Sequence, residues 1–212
     1  MNTSASTSAP ATGTASARRS LRWRVVDIVV ASVIGVASGL IFLLWNVGYL
    51  GPSALLEPLL PGLQGLLDGP WLFAGVLGAL IIRKPGAAIY TETLAAVVSA
   101  LVGNQWGGFL TLEAGLVQGL GAELIFLLFL YRRWNLPVAI LAGVGAALAG
   151  AVNNLILWYA GADTVFTVVY LASAMVSGAL IAGLLSWLLA RGLAATGALD
   201  RFASGREARA RV

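Results

Sequence analysis

Three glutamates within long apolar stretches are suited by type and position to bind a polar ligand: Glu92, Glu113 and Glu123. An ionisable group inside an apolar stretch of membrane-spanning length is costly unless it faces a cavity or a partner, so each glutamate marks a candidate site. Glu123 lies near the middle of its stretch, which favours a cavity. Glu113 lies near the end of the same stretch, where a solvated carboxylate costs little, so a structural role is also open.

A glycine-rich loop at residues 103–108 holds a second kind of candidate contact. Its sequence, Gly-Asn-Gln-Trp-Gly-Gly, can fold back toward a helix bundle and present the Trp106 indole to a ring-shaped ligand. The neighbouring Asn104 offers an amide to the same ligand. Most of the other tryptophans fit an aromatic belt at a membrane interface, which is the alternative interpretation for this residue type.

Amide side chains extend the set of candidate contacts. Gln118 lies within an apolar stretch, and Gln64 follows a Pro-Gly pair that makes its segment irregular. Asn153 and Asn154 lie in a later apolar stretch, where an amide either faces a ligand or bonds to a neighbouring helix. Both interpretations stay open for these two asparagines.

The residue types missing from the sequence exclude several chemistries. The chain has no cysteine, which excludes disulfides and thiol catalysis, and no histidine, the commonest general base and zinc ligand. Its one lysine, Lys84, is not part of a phosphate-binding GxxxxGK motif, so the chain cannot be its own ATPase. No paired aspartate motif supports phosphoryl transfer. We therefore predict no catalytic residue, metal ligand or cofactor.

Apolar stretches of membrane-spanning length position these candidate residues. Of the 212 residues, 59% are apolar and only 10% are charged, too few charges to cover a water-facing surface. A span needs about 20 apolar residues, and the sequence predicts six spans, at residues 25–45, 59–82, 86–102, 112–131, 136–159 and 166–190. The predicted fold is an all-α membrane protein, a bundle of six transmembrane helices in the cell membrane.

The basic residues predict the orientation of this bundle. All thirteen lysines and arginines lie before the first span, between spans two and three, between spans four and five, or after span six. With six spans these positions share one side, which the positive-inside rule assigns to the cytoplasm. Both termini are therefore predicted to be cytoplasmic. The basic charge reflects topology, so we predict no nucleic-acid partner.

The chain divides into three predicted regions. Residues 1–20 are rich in Ser, Thr, Ala and Gly and are predicted to form a disordered cytoplasmic tail. Residues 21–195 form the six-helix transmembrane domain. Residues 196–212 form a basic cytoplasmic C-terminal tail.

A stripe of small residues runs along the first span. Ala31, Gly35 and Gly39 are four residues apart and share a helix face. Such a stripe lets another helix approach closely. The partner is either a helix of the same chain or a separate subunit, and periodicity alone does not decide between them.

Three linked motifs resemble the YkoE family. They are Ile-Arg-Lys-Pro-Gly-Ala-Ala at residues 82–88, Gly-Asn at 103–104 and Val-Gln-Gly-Leu-Gly-Ala-Glu at 117–123. Members of this family are substrate-binding (S) components of energy-coupling-factor (ECF) transporters for thiamine and its hydroxymethylpyrimidine precursor. The resemblance implies a membrane subunit that captures a vitamin for ATP-driven uptake. It implies two kinds of partner, a transmembrane coupling (T) protein and cytoplasmic ATPases, and it favours a subunit-docking role for the small-residue stripe.

The candidate residues suit such a ligand. We expect Glu92 and Glu123 to form hydrogen bonds with polar groups of an aminopyrimidine. Three amide side chains would bind the same ligand: Gln118, Gln64 and Asn104. Trp106 would stack on the flat face of the ligand, and Glu113 stays in the candidate set. Two alternatives remain: an S component for another heteroaromatic vitamin, and a structural or regulatory membrane protein without a ligand.

Overall fold

The structure, a computed structural model, describes residues 21–209 of the chain, with side chains as far as residue 206. Every regular element in this part of the chain is helical, which agrees with the all-α prediction. The predicted N-terminal tail, residues 1–20, lies outside the described residues.

The helices differ in their capacity to cross a membrane. They are α1 (Val25–Gly48), α2 (Leu50–Leu56), α3 (Phe73–Ile82), α4 (Ala87–Val102), α5 (Gly108–Leu128), α6 (Leu136–Leu157), α7 (Thr164–Ser177), α8 (Ser186–Ala195) and α9 (Ala203–Arg209). A π-helical segment, Gly178–Leu185, joins α7 to α8 without a break. Among the described residues, α1, α5, α6 and the continuous helix Thr164–Ala195 are long and apolar enough to span a bilayer, whereas α3 and α4 are apolar but shorter.

The predicted second span, residues 59–82, is not one helix. Two short 3-10 helices, Leu63–Leu67 and Gly69–Trp71, precede α3. Gly62 has a φ of 99°, a left-handed conformation that glycine adopts without steric cost and that interrupts a helix. The break creates an irregular segment, residues 62–71, which packs against α7. It leaves α3 as a central helix whose residues are all buried.

Two serines of α7 hold the irregular segment in place. Ser173 Oγ donates to the carbonyl of Gly62 at 2.8 Å. Ser177 Oγ donates to the carbonyl of Leu66 at 2.6 Å and accepts from the backbone N–H of Gly69 at 3.0 Å. These bonds satisfy backbone groups that a continuous helix would have paired internally. The irregular backbone therefore has a fixed position inside the bundle.

The small-residue stripe of α1 packs against α4 of the same chain. Ala31 is fully buried, and a Cβ added to Gly39 would lie 2.6 Å from the Cβ of Val98. A Cβ added to Gly35 would lie 3.0 Å from Leu94. The predicted docking of a separate subunit on Ala31, Gly35 and Gly39 is therefore corrected, because α4 already occupies this face. Small residues allow that close approach of two helices within the chain.

An ion-pair cluster around a buried aspartate closes one end of the bundle, called here the basic end. Asp27, which has no exposed surface, bonds to the guanidinium of Arg24 at 2.8 Å and to the Lys84 ammonium. The backbone N–H of Arg24 also donates to the Asp27 carboxylate at 2.7 Å, which caps the start of α1. One carboxylate thus joins α1 to the connection between α3 and α4.

The C-terminal segment predicted as a basic cytoplasmic tail, residues 196–212, begins with packed residues. Leu199 and Phe202 are buried in the same apolar core as α3. Ser204 Oγ donates to the carbonyl of Ile81 at 3.3 Å, and the Arg24 guanidinium lies 5.9 Å from the centroid of the Phe202 ring. The folded bundle therefore continues beyond residue 195, because this segment covers the end of α3.

Candidate functional site

A cavity of about 310 Å³ lies at the end of the bundle opposite the basic end, called here the cavity end. Small-molecule sites in proteins occupy about 300–1,000 Å³, so this cavity suits a compact ligand. Its walls come from α1, the irregular segment, α4, α5, and the region where α6 meets α7. Many of its lining side chains are aromatic: Phe42, Tyr49, Trp71, Trp106, Trp158, Tyr159 and Tyr170.

Four of these rings form a connected group, called here the aromatic cage: Tyr49, Trp71, Trp106 and Trp158. Trp106 is its centre, with ring centroids 6.1 Å from Tyr49, 6.3 Å from Trp71 and 6.0 Å from Trp158. Trp106 meets each of these three rings edge to face, a preferred geometry for neighbouring aromatic rings. Burial raises the pKa of Tyr49, so its hydroxyl stays protonated. The cage can hold a flat or cationic ligand against its ring faces.

The glycine-rich loop brings Trp106 to the cavity. Asn104 Oδ1 accepts from the backbone N–H of Trp106 at 3.0 Å and from Thr111 Oγ1 at 3.1 Å. This Asx turn fixes the backbone that carries the indole. Gly103 and Gly107 flank the turn with φ values of 111° and 85°, which L side chains rarely adopt. The loop sequence therefore specifies the turn that directs Trp106 into the cavity.

Asp68 places a carboxylate in the cavity wall, and the other described residues that line the cavity are neither acidic nor basic. It lies between the two 3-10 helices of the irregular segment. The hydroxyl of Tyr170 donates to Asp68 Oδ2 at 2.8 Å and accepts from Asn154 Nδ2 at 2.8 Å. An amide, a phenol and a carboxylate thus form a polar row beside the aromatic cage. The arrangement can bind a ligand that combines ring faces, hydrogen-bonding groups and positive charge.

Comparison with known proteins identifies the family. A family model described as the permease component of an ABC-type cobalt transport system matches residues 26–149. The chain is 38% identical over 192 residues to the HMP/thiamine permease protein YkoE of Bacillus subtilis (strain 168), an alignment covering 87% of this chain and 92% of that protein. The chain belongs to the YkoE family. The resemblance predicted from its motifs is confirmed.

A solved structure agrees with this assignment. A crystal structure of an S-component of an ECF transporter matches with a TM-score of 0.82 and 35% identity, covering 90% of this chain and 95% of that chain. This YkoE-family chain therefore has the S-component fold. The part of the chain that the structure describes contains four helices of membrane-spanning length. Family, fold and helix length together make the chain a multi-pass protein of the plasma membrane.

Two of the predicted contacts in this YkoE-family chain line the cavity. They are Trp106 and Gln118, whose side chain lies beside Gly150 of α6. Asn154, for which two roles were open, lines the cavity while bonding to Tyr170. Asn104 acts on the cavity through the backbone of Trp106. Their contact with a ligand stays a prediction.

Glu123 lies at the basic end rather than in the cavity wall. Its carboxylate accepts from the backbone N–H groups of Gly86 at 2.6 Å and Ala88 at 2.9 Å, and from the Tyr131 hydroxyl at 2.8 Å. Backbone N–H groups at the start of a helix have no partner within that helix. Glu123 therefore satisfies the start of α4, and its carboxylate is fully occupied by protein groups.

Glu92 lies inside the bundle, about two turns along α4 from Ser99, which lines the cavity. It is 1% exposed, and its Oε2 accepts from the backbone N–H of Gly75 at 2.6 Å. Its Oε1 is buried without a hydrogen-bond partner. Glu92 is not among the residues that line the cavity, so any role in binding requires a rearrangement of this region.

The other two predicted contacts, Gln64 and Glu113, are not among the described residues that line the cavity. Gln64 is buried and accepts from the backbone N–H of Gly62 at 3.0 Å. Glu113 accepts from Asn153 Nδ2 at 2.9 Å, which ties α5 to α6. Gln64 thus fixes the start of the irregular segment, whereas Glu113 makes a helix–helix bond.

Several residues that line the cavity were not predicted from the sequence, among them Asp68 and Asn46. Asp68 lies within the predicted second span, so the expectation that ionisable residues in apolar stretches are functional would have found it. Asn46 lies just past the predicted end of the first span, at residue 45. Its position resembles that of an ordinary interfacial residue, and no local pattern marks it.

Proposed function

We propose that this chain is the substrate-binding S component of an ECF transporter and captures thiamine or its hydroxymethylpyrimidine precursor in the cavity. The observation that carries the proposal is the carboxylate of Asp68 beside an aromatic cage. The name of its relative YkoE, an HMP/thiamine permease, supports the same ligands.

The chemistry of the cavity matches that of the ligand. Thiamine carries a positive thiazolium ring, which a carboxylate attracts and an aromatic face stabilises. Its aminopyrimidine offers an amine donor and ring-nitrogen acceptors, which the amides of Gln118 and Asn154 can bind. Trp106 would stack on one ring, and Asp68 would balance the charge. Hydroxymethylpyrimidine lacks the thiazolium, so it would use only the amides and the stacking.

An organic ligand fits the cavity better than the cobalt ion that occurs in the family model's description. Nitrogen and sulfur ligands that bind transition metals come mainly from histidine and cysteine, and the sequence contains neither. The cavity offers aromatic surface and one carboxylate instead.

We further propose six membrane-crossing segments with both termini in the cytoplasm. The four long helices would be joined by α3, extended by the irregular segment, and by α4. The thirteen basic residues then share the cytoplasmic side. The cavity end would face outward, where the vitamin arrives.

The proposed partners follow from the S-component fold. A membrane T protein and cytoplasmic ATPases would supply the ATP hydrolysis, since this sequence has no phosphate-binding loop of its own. The chain itself would bind and release its ligand without chemical change. The cytoplasmic termini and the basic end would face these partners.

Isothermal titration of the purified protein tests the function. Thiamine and hydroxymethylpyrimidine are titrated separately, with the isolated thiazole moiety of thiamine as a third ligand. We expect a saturable signal with thiamine, with hydroxymethylpyrimidine, or with both. The absence of binding to both would contradict the proposal. Binding of a different heteroaromatic vitamin alone would support the alternative S component, and co-purification with ATPase subunits would argue against a ligand-free structural role.

A further inference from the structure

Asn46, in the last turn of α1, is bonded to three separate elements that shape the cavity. Its Nδ2 donates to Ser99 Oγ of α4 at 3.0 Å, and its Oδ1 accepts from the indole Nε1 of Trp71 at 2.8 Å. Its backbone carbonyl accepts from Gln105 Nε2, in the glycine-rich loop, at 3.2 Å. The residue is 3% exposed, so little water is available to replace these partners.

The bond to Trp71 controls more than one ring. Trp71 meets Trp106 at a centroid distance of 6.3 Å and an interplanar angle of 88°, and it meets Tyr49 at 5.1 Å. If Trp71 rotated, its N–H would lose its acceptor on Asn46, Trp106 would lose its edge-to-face contact with Trp71, and Tyr49 would lose its tilted contact with Trp71. Because a buried N–H without an acceptor is costly, the amide of Asn46 restricts Trp71 to this one orientation.

We infer that Asn46 is the positioning residue of the cavity: it sets the orientation of Trp71 and, through Trp71, the geometry of the aromatic cage. This inference rests on the proposed function for its ligand. It adds a residue that acts on ligand affinity through another side chain. Its bond to Gln105 also links α1 to the loop that carries Trp106, so one residue holds two sides of the cage.

A purely structural role for Asn46 makes a different prediction. In that case the bond to Ser99 would matter because it ties α1 to α4, and the rings would keep their places without Asn46. The two roles therefore differ in which hydrogen-bond partner of Asn46, Trp71 or Ser99, determines the affinity for the ligand. Positioning depends on the acceptor that faces Trp71, whereas a structural tie depends on the donor that faces Ser99.

The first experiment compares three variants by thiamine titration and by near-ultraviolet circular dichroism of the ligand-free protein. Asn46→Leu removes both side-chain bonds, and we expect about a ten-fold loss of affinity with a weaker aromatic signal and an unchanged helical signal. Asn46→Asp keeps an acceptor for Trp71 and can accept from the Ser99 hydroxyl, so we expect recovery to within about two-fold. Asn153→Leu, a matched control outside the cavity, should leave affinity and aromatic signal unchanged.

Three outcomes of this experiment overturn the inference. One is an Asn46→Leu protein with the affinity and the near-ultraviolet spectrum of the wild type. Another is an equal loss of affinity in Asn46→Leu and Asn153→Leu. The third is an Asn46→Asp protein that recovers neither the affinity nor the aromatic signal.

A second pair of variants decides the matter if Asn46→Leu does not fold. Trp71→Phe keeps an aromatic ring but removes the N–H that bonds to Asn46, and Ser99→Ala removes only the partner on α4. Positioning predicts the larger loss of thiamine affinity for Trp71→Phe. An equal or larger loss for Ser99→Ala would overturn the inference.

The two proposals fail in distinguishable ways. If the wild-type protein binds neither thiamine nor hydroxymethylpyrimidine, the proposed function fails. The near-ultraviolet spectra of the ligand-free wild type, Asn46→Leu and Asn46→Asp still report whether Asn46 holds Trp71. Identical spectra in all three would overturn the inference whatever the ligand.

Discussion

The two ends of the bundle use carboxylates in opposite ways. At the basic end, Glu123 accepts from the backbone N–H groups of Gly86 and Ala88 and from the Tyr131 hydroxyl. Asp27, at the same end, bonds to Arg24 and Lys84. At the cavity end, Asp68 accepts from the hydroxyl of Tyr170 and faces an open volume lined by rings. The acids of the basic end hold helices together, whereas Asp68 retains capacity for a ligand.

This difference shows what separates a structural acid from a binding acid in an apolar bundle. Both kinds are costly to bury, so burial alone does not distinguish them. What distinguishes the two kinds of acid is the number of protein hydrogen-bond donors around the carboxylate. A carboxylate whose lone pairs are occupied by backbone amides stabilises the fold, and one that borders a cavity is available to a guest.

The largest expected effect is on folding, at the basic end. Glu123→Ala removes the acceptor for the amides of Gly86 and Ala88 and for the Tyr131 hydroxyl, and leaves these donors buried. We expect a loss of about 3 kcal/mol in the free energy of unfolding, since bonds to a charged acceptor and unpaired buried donors each contribute substantially. Thermal unfolding in detergent measures it. A Glu123→Ala protein with wild-type stability but no thiamine binding would show that Glu123 is a binding acid rather than a structural one.

The next effect is on affinity, at the cavity end. Asp68→Asn keeps the size of the side chain but removes the charge opposite the thiazolium, and we expect about a 100-fold loss of thiamine affinity. The loss for neutral hydroxymethylpyrimidine should be smaller. Titration calorimetry with both ligands measures the two losses.

A matched variant controls for the loss of an aspartate. Asp163 caps α7 by accepting from the backbone N–H of Phe166 at 2.9 Å, and asparagine serves this role about equally well. Asp163→Asn should therefore change neither affinity nor stability. Equal losses for both ligands in Asp68→Asn would show that Asp68 does not act through its charge.

A smaller effect is expected at the aromatic cage. Trp106→Ala removes the central ring, and a cation–aromatic contact contributes about 0.5–2 kcal/mol, so we expect about a ten-fold loss of affinity. Trp106→Phe should lose less, because a ring face remains. Quenching of intrinsic fluorescence by thiamine follows binding in both variants. If Trp106→Ala bound thiamine with wild-type affinity, the proposed contact between the Trp106 indole and the ligand would be wrong.

The smallest effect is expected at Glu113. Glu113→Gln keeps an oxygen that can accept from Asn153, so stability should change by less than about 0.5 kcal/mol and thiamine affinity should not change. The same unfolding and titration assays apply. A clear loss of affinity would show that Glu113 also acts on the ligand, so that Asp68 would no longer be the one acid assigned to binding.

The sequence predicted the helical class, the family and part of the site. Gly103, Asn104 and Gly107 carry local conformational preferences, so the loop that presents Trp106 could be predicted from neighbouring residues. The role of Glu123 could not be predicted in this way, because the backbone N–H of Gly86, which donates to it, lies 37 positions away in the sequence. The same limit applies to Asn46, whose partner Ser99 is 53 positions away.

The small-residue stripe illustrates the limit of periodicity. Ala31, Gly35 and Gly39 indicate a close helix contact, and the structure contains one. The identity of the partner helix depends on how α1 and α4 are arranged in the bundle. A pattern within one helix does not contain that information, and so the predicted separate subunit was the wrong partner.

A crystal structure of the protein in complex with thiamine would show directly which carboxylate binds the ligand. We predict thiamine in the cavity, with its thiazolium beside the Asp68 carboxylate and one ring against Trp106. Glu123 should keep its bonds to the start of α4. Thiamine bound at Glu123, or in the cavity with its positive ring turned away from Asp68, would contradict the assignment of Asp68 as the binding acid.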